Sequence, residues 1–398
     1  MRDVNPLGSL VLGSFWTTVA LLTALGEWTL ACWALGSAPS PAAHVVGVCA
    51  LFALNRAACG WYEHEPHRAP RRNALGRGVL IVGVLCVAAT AALAASLLLR
   101  VGLGALGGFP AEAGALGVVT PGAAGVDLLA LASMTVAVGL VLHGYLRGWR
   151  ALEVTHLEVA IPGLGAGLDG LRVAHLSDLH VGPLCDVGAL RAAFDTANGL
   201  GADLMCVTGD LADSRHTDVD RWMPELTRLR APMGVVAIMG NHDFNAGLDR
   251  VADAIARHTD WRLLRDQVTT IERDGASLAI AGLDHRRLPQ AIAELPALTA
   301  KVPDGLPCVL LAHHPGTVES AASARAALML SGHTHGGQVA LPGAPRWNMA
   351  RLLMTSWDVG TFREGPTVLH VSRGLGTSGQ RLRIGAPREI TLITLRAG

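Results

Sequence analysis

Lysine, aromatic residues and net charge are all scarce in this chain of 398 residues. Lys301 is the only lysine, so arginine supplies every other basic side chain, and Phe, Trp and Tyr make up 4% of the residues. Charged residues reach 16% against 51% hydrophobic ones, which excludes an intrinsically disordered chain. The formal net charge is zero, which argues against a protein that holds nucleic acid by neutralising many phosphates.

Paired cysteine motifs are also missing from the sequence. The seven cysteines include no Cys-x-x-Cys pair, and the residues after 150 include only Cys185, Cys206 and Cys308. This spacing excludes a disulfide-stapled scaffold and a zinc ribbon, and it indicates free thiols in a reducing compartment.

The charges are concentrated in the second part of the chain. Residues 1–150 carry 15 charged residues, and the 248 residues that follow carry 49. A helix that crosses a bilayer needs roughly 20 consecutive apolar residues, and four segments of the first part approach that length. We therefore predict a bundle of four transmembrane helices within residues 1–150, at about 7–26, 42–58, 79–99 and 128–146.

The second of these segments is the weakest, because His44 lies near one end and Asn55-Arg56 near the other. The arginines predict the orientation of the bundle, since basic loops face the cytoplasm. The loop after the second span and the end of the fourth are basic, with Arg56, Arg68, Arg71, Arg72, Arg77, Arg147 and Arg150. With an even number of spans, both termini and the downstream domain are expected in the cytoplasm, at a bacterial plasma membrane. With three spans the topology changes.

The spans are expected to serve as an anchor. Glu27 and Asp127 are placed at span ends, where a charge reaches the interface at low cost, so no transport path is indicated. A third possibility, a transporter with a regulatory domain, is disfavoured for the same reason.

The second part of the chain predicts an α/β domain. After a linker at 151–170, short aliphatic runs alternate with amphipathic stretches over residues 171–398. Helices are predicted at Asp186–Leu200 and Asp218–Leu229, each introduced by an acidic residue suited to capping. The predicted strands include Leu171–Leu176, Asp203–Thr208, Val235–Met239, Val309–Ala312 and Leu328–Leu330.

Side chains that can bind metal follow each of these five strands. The clusters are His175–His180, Thr208–Asp210, Met239–Asp243, His313-His314 and His333–His335. The carboxyl ends of parallel strands meet at one edge of a sheet, so the clusters are expected to converge. Carboxylates and imidazoles together suit zinc, manganese or iron. A single such cluster is more often a turn or a core histidine, but five in order predict a two-metal centre.

The order of these motifs resembles the calcineurin-like metallophosphoesterase superfamily over roughly residues 170–396. The glycine-rich stretch Val371–Gly379 is similar to its membrane-anchored branch. The resemblance implies a four-layer α/β/β/α sandwich, preceded here by the four transmembrane helices, with a dinuclear site at the edge of the central sheets.

Site residues follow from the resemblance, position by position. It implies that Asp210 bridges two divalent ions, either manganese, iron or zinc. His313 is preferred to the adjacent His314, because a residue and then proline follow it as in the family. The other implied ligands are Asp178, His180 and His335 for the first ion, and Asn241 and His333, beside His313, for the second.

Two further residues match positions of the family that act in catalysis. His242 corresponds to the histidine that faces the leaving group and can protonate it. Asp213 resembles the acid that orients this histidine, although an ordinary exposed loop carboxylate is the alternative.

The expected activity is hydrolysis of a phosphodiester or pyrophosphate bond by a metal-activated hydroxide. The substrate would be a phosphorylated small molecule or a lipid-linked compound, with no organic cofactor and no nucleic-acid partner. The alternative is a membrane sensor or scaffold that binds a phosphorylated ligand without turnover, which the complete ligand set disfavours. The apolar stretch Trp347–Trp357 is either a lid directed toward the membrane or ordinary core packing.

Overall fold

A computed structural model of the chain describes residues 15–34, 39–62, 70–105, 128–215 and 217–398. The chain divides into two units, whose boundary in the sequence lies between Leu146 and Arg147. The first unit is helical and the second contains all of the described strands.

Apolar helices make up the first unit. The described helices are α1 (Phe15–Ala34), α2 (Pro41–Tyr62), α3 (Pro70–Ala105) and α4 (Leu128–Leu146). Three segments of the described residues are long and apolar enough to cross a membrane, and they are Pro41–Cys59, Ala74–Ala92 and Leu131–Arg150. The weak second segment is one of them. The first predicted span lies partly outside the described residues, where α1 offers the shorter apolar stretch Val19–Cys32. The count of four spans therefore stays a prediction.

The first helix differs from the prediction at its carboxyl end. It continues through Glu27 to Ala34, so this carboxyl group lies inside the helix and not at its end. Glu27 Oε2 accepts a hydrogen bond of 3.0 Å from the Nδ2 group of Asn55, which is buried on α2. A polar partner on a neighbouring helix lowers the cost of placing such a group among apolar helices, which explains why the helix continues.

The second unit is built on two six-stranded sheets. The first has the order β1-β14-β2-β3-β4-β5, in which β14 is antiparallel to β2 and the other neighbours are parallel. Its strands are β1 (Leu152–Ile161), β2 (Arg172–Leu176), β3 (Leu204–Thr208), β4 (Val235–Ile238), β5 (Arg262–Leu263) and β14 (Arg388–Ala397).

The second sheet has the order β12-β13-β9-β8-β7-β6, with antiparallel pairs only at its two edges. Its strands are β6 (Gln267–Arg273), β7 (Ala276–Gly282), β8 (Cys308–Leu311), β9 (Leu328–Ser331), β12 (Gly360–Glu364) and β13 (Thr367–Val371). A separate hairpin is formed by β10 (Ala340–Leu341) and β11 (Ala344–Asn348).

The predicted linker contains an edge strand of the first sheet. β1 occupies half of residues 151–170 and pairs in parallel with β14 over its full length. From Thr155 to Ile161 its side chains alternate between covered and exposed positions, as expected for a strand with one covered face. The sheet therefore begins two residues after Arg150.

Helices cover the outer face of each sheet. These are α5 (Val187–Gly199), α6 (Val219–Trp222), α7 (Asn241–Ala246), α8 (Leu248–His258), α9 (Leu288–Thr299), α10 (Val318–Ser323) and α11 (Met349–Leu353). Leu204 and Ile280 lie in the core between the sheets, Phe194 of α5 packs outside the first, and Leu295 of α9 packs outside the second. The predicted α/β/β/α order is confirmed.

Candidate metal centre

The predicted ligands lie on loops with an unusual backbone. Asp178, His180, Asp210, His333 and His335 all have φ between 45° and 71°, in the left-handed region. Residues other than glycine seldom adopt this conformation, and it is costly unless the surrounding structure imposes it. Because each loop follows the carboxyl end of β2, β3 or β9, the turn directs these side chains toward one edge of the two sheets.

Asp210 occupies the middle of the site. Its Oδ2 atom lies 3.5 Å from Nε2 of His180 and 3.2 Å from Nε2 of His313. Its Oδ1 atom accepts a hydrogen bond of 2.8 Å from the main-chain N–H of His242. A Cβ atom at Gly240 would lie 2.2 Å from this Oδ1, so the close approach requires glycine. One carboxylate therefore faces two groups of imidazoles.

One group consists of His180, His335 and Asp178. The two imidazoles face each other with 3.1 Å between their Nε2 atoms, and Nε2 of His335 lies 3.4 Å from Oδ1 of Asp178. With Asp210, these four buried residues each place a potential ligand atom within 4.8 Å of the others. They could hold one cation.

The other group consists of Asn241, His313 and His333. Oδ1 of Asn241 lies 2.8 Å from Nδ1 of His333 and 3.2 Å from Nε2 of His313. The neighbouring His314 lies with its ring centroid 4.6 Å from that of His333, but its Nδ1 is occupied, because it accepts a hydrogen bond from the N–H of Gly316. With Asp210 shared between the two groups, the structure brings all seven predicted ligands together.

Hydrogen bonds fix which imidazole nitrogen faces the centre. Nδ1 of His313 donates to the carbonyl oxygen of Thr208 at 2.7 Å, which leaves Nε2 free to coordinate. For His180, Nδ1 lies 3.3 Å from Oδ1 of Asp213. Asp213 is buried and is not an exposed loop residue.

Asp213 contacts His242, but through its main-chain carbonyl and not through its carboxylate. Nδ1 of His242 donates to the main-chain carbonyl of Asp213, while the carboxylate of Asp213 faces His180. The other ring nitrogen of His242, Nε2, lies 3.4 Å from the Ser378 hydroxyl. The turn at residues 210–213 explains the difference, because it presents the carbonyl and the side chain of Asp213 to different histidines.

The electrostatics fit a cationic centre. Burial lowers the pKa of His333 and His335 well below the ordinary value, so both are neutral ligands at pH 7. Burial alone would raise the pKa of Asp210, but the imidazoles of His313 and His242 hold it well below the usual range. Ionised carboxylate, amide oxygen and neutral imidazole form a donor set that suits manganese, iron or zinc.

Asp243 supports the site and was given no role in the sequence analysis. Its buried carboxylate accepts hydrogen bonds from the main-chain N–H groups of Leu211, Ala212 and Gly240, at 2.8–3.1 Å. These bonds join the loops that carry Asp210 and Asn241. The sequence signal that could have identified Asp243 is its position directly after the Gly-Asn-His motif.

Arg383 is a second residue that sequence reasoning missed. Its buried guanidinium donates to the carbonyl groups of Arg373, Gly374 and Gly376, and it lies 3.5 Å from Nδ1 of His335. The loop it holds approaches Asp178 closely, since the N–H of Gly376 donates to the carbonyl oxygen of that residue at 2.6 Å. No local pattern marks such a residue.

Comparison of the sequence with known proteins identifies one family. The sequence model of the calcineurin-like phosphoesterases matches residues 171–337. The metallophosphoesterase YkuE of Bacillus subtilis is 30% identical over 254 residues, which cover 62% of this chain and 86% of that protein.

Two other relatives combine this domain with a membrane or a lipid. A transmembrane protein with metallophosphoesterase domain of Danio rerio is 28% identical over 65% of this chain and 60% of its own length. The UDP-2,3-diacylglucosamine pyrophosphatase LpxG of Chlamydia trachomatis is 26% identical over 61% of this chain and 88% of its own. The similarity to the Danio rerio transmembrane protein supports a membrane protein. So do the three described apolar helices that are long enough to cross a membrane.

Proposed function

Because this chain belongs to the calcineurin-like phosphoesterase family, we propose that it is a membrane-anchored hydrolase with two divalent metal ions. It cleaves a phosphodiester or pyrophosphate bond. The described apolar helices are its anchor, within a membrane unit of residues 1–150, and residues 171–398 form its catalytic domain. We place the protein in a bacterial plasma membrane with the catalytic domain in the cytoplasm, on the distribution of its arginines.

The shared carboxylate of Asp210 carries this proposal. One oxygen atom lies within 3.5 Å of a nitrogen from each imidazole group, which is the position of a bridging ligand. Asp178, His180 and His335 would complete one metal site, and Asn241, His313 and His333 the other. When bound, two such cations activate water and neutralise the charge that develops on a phosphoryl group.

His242 is the proposed proton donor. Its Nδ1 proton is held by the carbonyl oxygen of Asp213, so the orientation of the ring is fixed. In the imidazolium form Nε2 carries a second proton, near the Ser378 hydroxyl, and can deliver it to the departing oxygen. General acids of this kind accelerate such reactions by roughly 100- to 10,000-fold.

The proposed substrate class is a lipid-linked diester or pyrophosphate. Two observations support it, which are the apolar helices that precede the catalytic domain in the chain and the similarity to a pyrophosphatase of a diacylated sugar nucleotide. An enzyme for a water-soluble phosphorylated compound would need no membrane anchor.

The test is hydrolysis of an aryl phosphodiester by the detergent-purified full chain. We expect turnover with added manganese, loss on chelation and recovery with metal. Asp210→Asn should abolish turnover in protein that remains folded. Asp195→Asn is the matched control, since this carboxylate is exposed and its ion pair with Arg228 contributes little.

Absence of turnover would refute the proposed catalysis under the following condition. If the folded protein binds metal yet hydrolyses neither aryl diesters nor lipid pyrophosphates with manganese, iron or zinc, catalysis is refuted. The sensor or scaffold that binds a phosphorylated ligand would then replace it.

A further inference from the structure

Exposed apolar side chains are concentrated on one short stretch near the metal centre. We define residues 341–352, which contain β11 and most of α11, as the apolar segment. Leu341, Trp347, Met349 and Leu352 are 57%, 77%, 41% and 63% exposed. Among the described residues from 147 onward, only Phe244 and Ile292 are other large apolar side chains with comparable exposure. Concentrated apolar exposure of this kind marks an interaction surface.

The remainder of the predicted lid belongs to the core. Trp357 packs edge-on against Phe362 with 5.2 Å between ring centroids, and Ala350 is buried. Of the two alternatives for residues 347–357, core packing therefore describes Ala350 and Trp357, and the lid stays a prediction for the exposed part. Trp357 packs in the core, whereas Trp347 lies at the surface.

Hydrogen bonds fix the apolar segment to the metal loop. Asn348 caps α11 by accepting from the N–H of Arg351 at 2.8 Å, and its Nδ2 group donates to the buried carboxylate of Asp358 at 2.6 Å. The carbonyl of Asp358 accepts a hydrogen bond from the hydroxyl of Thr334, which lies between two predicted ligands. The segment is therefore held in place beside His333 and His335.

The chain enters the second unit close to the same hairpin. Five residues separate the end of α4 from β1, and Trp149 among them lies under the guanidinium of Arg381, 4.8 Å from its ring centre. Three residues further, the carbonyl oxygen of Ile384 accepts a hydrogen bond of 2.8 Å from the N–H of Ala340 at the start of the hairpin. Since a chain advances at most about 3.6 Å per residue, the entry point and the hairpin are near neighbours.

The charge of this stretch suits an anionic lipid surface. Residues 339–357 contain Arg346 and Arg351 and no acidic residue, but Arg351 pairs with the adjacent buried Asp358 at 3.3 Å, so Arg346 supplies the net positive charge of this surface. Both arginines are exposed, and Arg346 lies over the ring of Phe362 at 4.7 Å. Tryptophan beside arginine is the combination found where proteins meet lipid head groups.

We propose that the apolar segment inserts into the head-group region of the membrane that anchors the chain. Leu341, Trp347 and Met349 supply the inserted surface, and Arg346 faces the lipid phosphates. Insertion holds the edge of the metal centre next to the bilayer. The inference is independent of the proposed catalytic activity, because it concerns lipid contact alone.

Photolabelling in vesicles tests this directly. The full chain is reconstituted in vesicles of phosphatidylethanolamine and phosphatidylglycerol that contain a phospholipid with a diazirine near its head group. After illumination, mass spectrometry of the peptides locates the adducts. We expect adducts on Leu341, Trp347 and Met349, with a yield about fivefold lower for Arg346→Gln. Peptides of Pro41–Cys59 report successful reconstitution.

Two controls make the outcome decisive. Ile292 is as exposed as Met349 but lies on α9, and it should remain unlabelled. Leu341→Ser/Trp347→Ser should lose the adducts on the segment, whereas Ile292→Ser should change nothing. Labelled spans with an unlabelled segment, or equal labelling of Ile292, overturn the proposal. Aryl diester turnover measured on the same samples reports separately on catalysis.

Discussion

The carboxylate of Asp213 lies beside His180, while its main-chain carbonyl holds His242. Oδ1 is 3.3 Å from Nδ1 of His180, and the carbonyl oxygen accepts the Nδ1 proton of His242. The same residue therefore orients a proposed metal ligand with its side chain and the proposed acid with its backbone. Substitution of the side chain should affect only the first of these contacts.

Asp213→Asn should weaken metal binding more than proton donation. Loss of a carboxylate that orients a ligand histidine typically lowers metal affinity about 10- to 100-fold. We expect a higher manganese requirement and an unchanged dependence of rate on the leaving group at saturating metal. Activity titrated with manganese for two aryl esters measures both. A changed leaving-group dependence would place the carboxylate on His242 after all.

His242→Gln should give the opposite pattern. We expect metal content to be unchanged and the rate to fall roughly 100- to 10,000-fold for substrates with poor leaving groups. Nitrophenolate departs without a proton, so esters of nitrophenol should lose much less. Parallel assays with nitrophenyl and alkyl esters measure the difference. Equal losses for both would refute the role of a proton donor.

Gly240→Ala should inactivate the protein. The added Cβ would lie 2.2 Å from Asp210 Oδ1 and 2.6 Å from the main-chain nitrogen of Asp210, so Asp210 would have to shift. We expect a lower Tm and loss of turnover. Gly199→Ala is the matched control, because no atom lies within 4 Å of its added Cβ and the residue is at the end of α5. Normal activity of Gly240→Ala would show that the close approach is not required.

The stability of the fold should decrease as the pH falls below 6.5. Burial lowers the pKa of His370 against the opposing charge of Glu389, and Nε2 of this histidine lies 2.9 Å from the Thr391 hydroxyl. The unfolded chain then binds more protons than the folded one below pH 6.5, and stability declines until the folded pKa is reached.

The expected slope is at most about 1.4 kcal/mol per pH unit for this histidine. Denaturant unfolding of the full chain between pH 8 and pH 5 measures it, with His370→Gln as the comparison. The variant should show a smaller slope over this range. Equal slopes would mean that His370 takes up a proton as readily in the folded protein as in the unfolded chain.

Trp347→Ser should separate lipid substrates from soluble ones. If the apolar segment holds the active site at the bilayer, turnover of a lipid pyrophosphate in vesicles should fall much more than turnover of an aryl ester. Ile292→Ser serves as the control for an exposed apolar change elsewhere. Equal losses on both substrates would indicate a general defect of the domain.

Much of the sheet core followed from local sequence. The runs at β2, β3, β4, β8 and β9 are short, aliphatic and bounded by polar clusters, so both their existence and the edge at which they end were predictable. Asp186 caps α5 as predicted, accepting from the N–H of Ala189 at 2.9 Å. Such features depend on a few neighbouring residues.

Other features were not predicted, either because a local signal was not used or because they depend on contacts between distant residues. The predicted helix Asp218–Leu229 is interrupted, because Pro224 opens a 3-10 turn over Met223–Arg228 after only one turn of α6. The left-handed backbone at Asp178 and Asp210 is imposed by tertiary packing, and no pattern of residue types marks it. The atoms through which Asp213 acts likewise follow from the path of its loop.

The position of β14 has a consequence for how the protein is made. This strand is synthesised after every other described strand, yet it lies between β1 and β2 in the first sheet. While it is still missing, β1 has no partner in the sheet and remains a free extension of the last apolar helix. The apolar helices can therefore enter the membrane early, whereas the first sheet can be completed only after β14 has been synthesised. A nascent chain thus has its apolar helices before it has the complete sheet that positions Asp178 and Asp210.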